Sequence, residues 1–263
     1  MTNEHAQATE QDGILTLTIN RPQKLNAISP LVTALLWDCV RAMATRDDLR
    51  CFVITAQGRY FTAGIDLGAS ADPVDATDPD QGHAGWNYRR TYREHHLLYD
   101  EFENLEKPIV LAAQGPCLGA GVEMAMSCDF RFCTPRAEFG LPEIRLGVIP
   151  GSGGSSRLAR LVGPSWAKYM AMAGMTVSAE RALAMGLVQD IFPEETFLED
   201  VHAFCRSLTD LPAEALGLAK MAVDLSTDVH DRTVQRHIDR IINTGLVNSE
   251  THQARIARFK PKP

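Results

Sequence analysis

Residues 117–130, CLGAGVEMAMSCDF, set a glycine-rich turn before an apolar run that contains one carboxylate, Glu123. Val122, Met124, Ala125 and Met126 surround the acid, so a helix over this run is apolar on nearly every face. Such a helix belongs in a core. An unpaired carboxylate there costs several kcal/mol, so Glu123 needs either partners or a task. The core must also be large enough to enclose the helix. With 263 residues, 45% of them hydrophobic, the chain has the material for one large domain or two modest ones.

Charge and cysteine usage narrow the function classes. A formal net charge of −7 opposes a broad nucleic-acid footprint, leaving only a local basic patch such as Arg89, Arg90 and Arg93. The N-terminal MTNEHAQATEQDG has neither a basic start nor an apolar segment, which reads as no export signal. The longest apolar stretch, IVLAA at 109–113, is far too short to span a bilayer. Six scattered cysteines without a CxxC pair suit buried free thiols and a cytoplasmic setting. The adjacent His95 and His96 diverge on a helix, and no HExxH occurs, so no metal site is expected.

Periodicity gives a mixed α/β chain. GILTLTIN (13–20) reads as a strand, and Ser29-Pro30 as a helix cap followed by the first helical residue. Leu31, Leu35, Leu36, Cys39, Val40 and Met43 form that helix's apolar stripe, and CFVITA (51–56) is a buried strand. A helix over roughly 86–105 precedes the strand IVLAAQG (109–115). The Glu123 helix, a strand at DFRFCTP (129–135), two helices after Gly163 and a last strand LVQDIFP (187–193) follow. DPVDATDPDQG (72–82) reads as a loop, and the Met170, Met172, Met175 group as core packing. Beyond 194 strands cease. Three amphipathic helices, with stripes Phe197/Val201/Phe204/Leu208, Leu218/Met221/Leu225 and Val234/Ile238/Ile241/Ile242, suggest a tail that packs on the core or another subunit.

Four segments stand out for chemistry: YFTAGIDLGA (60–69), CLGAGVE (117–123), AEFGLPEIRLG (137–147) and IPGSGG (149–154). Glycine-rich turns before helices expose amides at the positive end of the helix dipole, where they hold a phosphate or an oxyanion. The phosphate pattern fails, because GSGGSS breaks G-x-G-x-x-G at Ser156. An oxyanion hole shared between two turns remains. Glu123 is then either a structural acid held by amides or an arginine, or one of a pair of acids whose meeting would raise a pKa. Glu143, after a proline in a turn, reads in isolation as a surface residue.

NRPQKLNAIS (20–29), FTAGIDL (61–67), GPCLGAGVEMAMSCDFRF (115–132), AEFGLPEIRLGVIPGSGGSSRLARLVG (137–163) and ALAMGLVQDIFP (182–193) together resemble the enoyl-CoA hydratase/isomerase, or crotonase, superfamily. The resemblance implies an α/β fold in which residues 1–193 form a spiral of β-β-α units carrying a CoA-thioester site. Residues 194–263 would form a C-terminal helical region for packing and oligomerisation as a homotrimer or dimer of trimers. It further implies an oxyanion hole from the backbone N–H groups of Ile65 and Ala120, with Glu123 and Glu143 as catalytic acids. Gly151 would touch the reacting water, and Lys24, Leu25, Ala63, Asp66 and Leu67 would surround CoA. No cofactor is implied beyond the coenzyme A of the substrate.

The implied reaction is hydration of a trans-2-enoyl-CoA in acyl-CoA metabolism. Double-bond isomerisation, decarboxylation or hydrolysis are alternatives on the same oxyanion hole, and a non-catalytic acyl-CoA or nucleic-acid binder is an alternative of another class. Departures from the family pattern include Leu141 in place of a common glutamine, Ile65 for a common alanine and Ala120 for a frequent glycine.

Overall fold

Strand β1 (Ala6–Gln11) turns back on β2 (Ile14–Ile19) through Asp12-Gly13, both at positive φ, 52° and 74°. An Asp-Gly turn of this hand matches the twist of an antiparallel pair. The computed structural model describes residues 1–70 and 84–259, the side chains of 70 and 84–92 excepted. The loop expected at 72–82 and the side chains of Arg89 and Arg90 therefore lie outside the described residues. Strand β1 was not expected from the sequence. Only Ala6 and Ala8 on it face the core, so its alternation is carried by two small residues among polar ones.

Ser29 caps α1 (Pro30–Thr45), its Oγ accepting from the Val32 amide at 3.4 Å. Leu35, Leu36, Cys39, Val40 and Met43 are buried as expected, but Leu31 is 38% exposed and Val32 takes its place inside. The stripe is rotated by one residue at its first turn. Then come β3 (Cys51–Ala56), the short α2 (Leu67–Ser70), α3 (Ala84–Asn104) and β4 (Ile109–Ala113). A two-residue β5 (Cys117–Leu118) leads into α4 (Ala120–Met126), and β6 (Phe130–Cys133) and β7 (Glu138–Gly140) follow.

After a 3-10 turn (Pro142–Leu146), α5 runs over Gly154–Ala167 with a break at Gly163, followed by a π-helical turn at Lys168–Met172. Strand β8 (Thr176–Ser178), α6 (Ala179–Ala184) and β9 (Asp190–Ile191) close the core. The last strand is shorter than LVQDIFP suggested. Leu187 O is taken by Arg131 Nε and the Val188 amide by Ala182 O, so the ladder with β6 begins only at Asp190. The methionine group also departs from expectation: Met170 is buried, while Met172 and Met175 are 73% and 41% exposed.

The main sheet has the order β1-β2-β3-β4-β6-β9 and is parallel from β2 onward; β5-β7-β8 form a second sheet. Parallel strands deliver their outgoing loops to one edge, where α/β proteins place ligands. Here that edge receives residues 20–28 after β2, 57–66 after β3 and 114–120 after β4. Asn26, wholly buried, ties the first two together: its Nδ2 donates to Gln57 O and Tyr60 O, both at 2.7 Å.

Helix α7 (Phe197–Thr209) lays Phe197, Val201, Cys205 and Leu208 on the opposite face of the sheet, against Val53, Val110, Ala112 and Phe132. Helices α8 (Ala213–Asp228), α9 (Arg232–Leu246) and α10 (Glu250–Ala257) follow, one more helix than the sequence stripes indicated. Met221, Leu225, Val234 and Ile241 from those stripes are exposed in the single chain. Among the described residues, no helix is long and apolar enough to cross a membrane.

All seven residues of α4 are buried. A Cβ added to Gly121 would collide with Thr62 Cγ2 and come within 3.2 Å of Cys117 Sγ. Thr62 cannot swing away, since its Oγ1 donates to Asn26 O at 2.8 Å and accepts from the Gly64 amide at 3.1 Å. Gly121→Ala should destabilise the protein by about 1–3 kcal/mol. Thr62→Ser, which deletes the clashing methyl, should restore most of the loss when combined with it; urea unfolding of the three variants checks this.

Candidate active site

The loops after β3 and β4 meet through their glycines. Gly64 and Gly119 both hold positive φ, 102° and 55°. A Cβ on Gly64 would lie 3.6 Å from Gly119 Cα and 3.6 Å from Ala120 N. Conformation therefore favours glycine at both positions, and the two turns lie in van der Waals contact. The residues that follow, Ile65 and Ala120, present their amides from adjoining turns. Ile65 bridges to Ile28 in parallel fashion, which uses Gly64 O and the Asp66 amide and leaves its own N–H outward. Among the described residues, neither the Ile65 nor the Ala120 N–H donates a hydrogen bond.

Glu123 sits in the first turn of α4 and is 2% exposed. Its Oε1 accepts from the amides of Ser152 at 2.7 Å and Gly154 at 3.1 Å, while Oε2 accepts none among the described residues. The GSGG turn, which the sequence offered as an anion cradle, here cradles this carboxylate. Burial pushes the Glu123 pKa up to about 7; the two amides oppose the rise, and the charge of Glu143 adds to it. Both readings of Glu123 are thus realised in part: its position is fixed by amides, and it remains a titratable group near neutrality.

Glu143, on the 3-10 turn after Pro142, reaches the same place. A Cβ on Gly119 would be 3.1 Å from its Oε1. Its Oε2 is buried without a hydrogen-bond partner, and burial raises its pKa too. The surface reading of Glu143 is corrected in part: the residue is half-buried, with one carboxyl oxygen enclosed. Leu141, two residues earlier, is fully buried and offers no polar group.

Other expected site residues line the edge more loosely. Lys24 and Leu25 are exposed on the loop after β2, with Leu25 at φ 51°. The Ala63 amide donates to Leu25 O at 2.9 Å. Asp66 carries a structural load: it accepts from Arg21 Nη1 at 2.5 Å and its Oδ1 takes the Gly68 and Ala69 amides. Arg21 holds its carboxyl below the usual range. Leu67 is 59% exposed beside it. Gly151 precedes the Ser152 amide, and its carbonyl accepts from His96 Nε2.

Several residues around Glu123 were not singled out by the sequence. Arg157, 6% exposed, donates to Ser152 O at 3.2 Å and to Asp100 and both oxygens of Glu103 on α3. Tyr99 OH donates to Ala120 O at 3.2 Å. Buried Arg131 caps the far end of α4 through Ala125 O and Cys128 O, where a cation complements the helix dipole. Arg157 lies in the quoted SSRLAR run, but nothing local connects it to a carboxylate 34 positions earlier.

Two protonatable carboxyls beside a pair of outward amides suit proton transfer next to a carbonyl group whose oxygen gains charge. The fold and the sequence define the same class. Residues 9–262 match the family model for enoyl-CoA hydratase/isomerase, and the chain belongs to that family. Among its relatives, 2,3-dehydroadipyl-CoA hydratase of Escherichia coli (strain K12) is 36% identical over 221 residues, 84% of this chain and 82% of that one. The 1,2-epoxyphenylacetyl-CoA isomerase of the same organism is 31% identical over 252 residues, 96% and 94% of the two chains. The crystal structure of enoyl-CoA hydratase from Bacillus anthracis superposes with a TM-score of 0.87 at 25% identity, covering 97% of this chain and 96% of that one.

The raised pKa of Glu123 makes its protonated form the one that folding favours. That contribution is complete below about pH 4.5 and fades as pH rises through about 7. Glu123→Gln keeps an acceptor for both amides but never ionises. Wild type should therefore lose up to about 3 kcal/mol relative to Glu123→Gln between acid and mildly alkaline pH. Urea midpoints of both proteins across that range measure it; parallel curves would refute the assignment.

Proposed function

We propose that this protein hydrates a trans-2-enoyl-CoA to the 3-hydroxyacyl-CoA. The observation that carries the reading is the convergence of Glu123 and Glu143 beside the outward amides of Ile65 and Ala120. The hydratase relative at 36% identity supports it. In this reading the thioester oxygen lies between the two N–H groups, Ala120 adding the positive end of α4. One such donor lowers the barrier by about 3 kcal/mol.

Glu123, its Oε1 fixed by Ser152 and Gly154, uses Oε2 to orient and deprotonate a water, which the Gly151 amide also contacts. The water oxygen bonds to C3, the C2–C3 π electrons move toward the thioester oxygen, and Glu143 delivers a proton to C2. Water's other proton stays on Glu123 and returns to Glu143 through solvent before the next cycle. Burial around Glu143 raises its pKa, which favours the protonated acid that this step needs. Lys24, Leu25, Ala63, Asp66 and Leu67 flank the CoA portion, largely through backbone.

A second reading, isomerisation on the same oxyanion hole, is favoured by the isomerase relative that covers 96% of the chain. It needs only one acid to move a proton between carbons. We also assign residues 194–263 to self-assembly into a trimer or dimer of trimers, supported by the exposed Met221, Val223, Leu225 and Ile241.

Purified protein should consume crotonyl-CoA or a longer enoyl-CoA, with loss of the conjugated thioester absorbance and gain of one water in product mass. Isomerisation would leave mass unchanged. Glu123→Gln and Glu143→Gln should each lower kcat by about 10²–10⁴-fold while KM changes little. Wild-type rates in either variant would contradict its role.

A further inference from the structure

One peptide unit stands between His96 and Glu123. The Gly151 carbonyl accepts from His96 Nε2, and the N–H of the same planar unit, that of Ser152, donates to Glu123 Oε1 at 2.7 Å. In a trans peptide these two groups point in opposite directions, so histidine and carboxylate sit on opposite edges of one plane. A carbonyl oxygen cannot donate, so Nε2 must carry the proton. Hydrogen bonds in such a chain polarise one another, strengthening each by roughly 10–30%.

The next peptide unit is held as well. Arg157 Nη1 donates to Ser152 O at 3.2 Å, and Arg157 is itself tied to Asp100 and Glu103. His96, Asp100 and Glu103 fall at i, i+4 and i+7, one face of α3. Tyr99, next to that face, bonds Ala120 O. A single helix therefore grips both the turn that holds Glu123 and the helix start that carries Ala120.

We propose that His96 is a positioning residue for Glu123, acting through the 151–152 peptide to fix the carboxylate in its working orientation and to steady its charge. The inference rests on the functional reading above for its consequence in turnover, but its physical content does not need turnover. Other charged or titratable groups facing Glu123 are Glu143 from the 3-10 turn, Arg157 from α5 and Tyr99 from α3, with Asp100 and Glu103 engaged by Arg157. None of them touches the Gly151 carbonyl.

Three measurements test it. In the wild-type protein, long-range 1H–15N spectra of His96 should show protonated Nε2; an Nδ1–H tautomer with bare Nε2 overturns the proposal without any mutation. The Glu123 carboxyl, followed by 13C NMR in the free enzyme and assigned with Glu123→Gln, should titrate about 0.2–0.6 pH unit higher in His96→Leu and near wild type in His96→Gln, which keeps an N–H donor. In turnover of an enoyl-CoA, His96→Leu should lower kcat about 10–100-fold with KM little changed, and His96→Gln should recover most of it. An unmoved Glu123 titration in His96→Leu, or His96→Gln as impaired as His96→Leu, overturns the proposal. Absence of turnover in wild type, with the titration shifted as expected, overturns the functional reading alone.

Discussion

The grip of the Ser152 and Gly154 amides on Glu123 is the interaction around which the rest of the site is arranged. A carboxylate buried against the 152–154 turn has lost its water, and only fixed donors can replace that hydration. Two neutral amides do so partially. They orient the group without neutralising it, so burial keeps the pKa near 7 instead of returning it to the ordinary carboxylate range. A lysine or arginine bonded directly to Glu123 would have lowered its pKa and held it as a fixed anion. Arg157 instead reaches the turn's carbonyl and spends its charge on Asp100 and Glu103.

The two outward amides, of Ile65 and Ala120, are positioned by equally local means. Positive φ at Gly64 and Gly119 turns each chain sharply, and their mutual approach brings Ile65 and Ala120 to adjoining positions. Both groups belong to the main chain, so the side chains of Ile65 and Ala120 do not change the N–H groups presented. The framework behind them is rigid for a reason visible in the hydrogen bonds: Asn26, Thr62 and Gln114 stitch the loops after β2, β3 and β4 to one another. Asn26 and Thr62, buried with their polar atoms satisfied, specify one arrangement.

Opposite faces of the main sheet have separate uses. One supports α4 and the site; the other receives α7, whose apolar residues complete a second cluster with Ile14, Cys51 and Val110. Helices beyond α7 leave aliphatic side chains uncovered, and this is why their stripes were readable in sequence yet are not buried within one chain. Leu31, Met172 and Met175 show the same limit: apolar identity alone does not decide whether a residue meets the core.

What the sequence determined by itself was everything encoded in contiguous residues. The Ser29-Pro30 cap, the wholly buried strand Cys51–Ala56 and the enclosed helix at Ala120–Met126 follow from local preference and periodicity. Ordered motifs sufficed for the family. Tertiary structure alone decided that half-buried Glu143 turns one carboxyl oxygen inward near Glu123, that the GSGG turn serves a carboxylate, and that α3 holds both turns through His96 and Tyr99 directly and through Arg157 of α5. Spacing along the chain carries no information about which loop edges a parallel sheet brings together. Those meetings depend on strand order, and with it on which buried charges are left with partners.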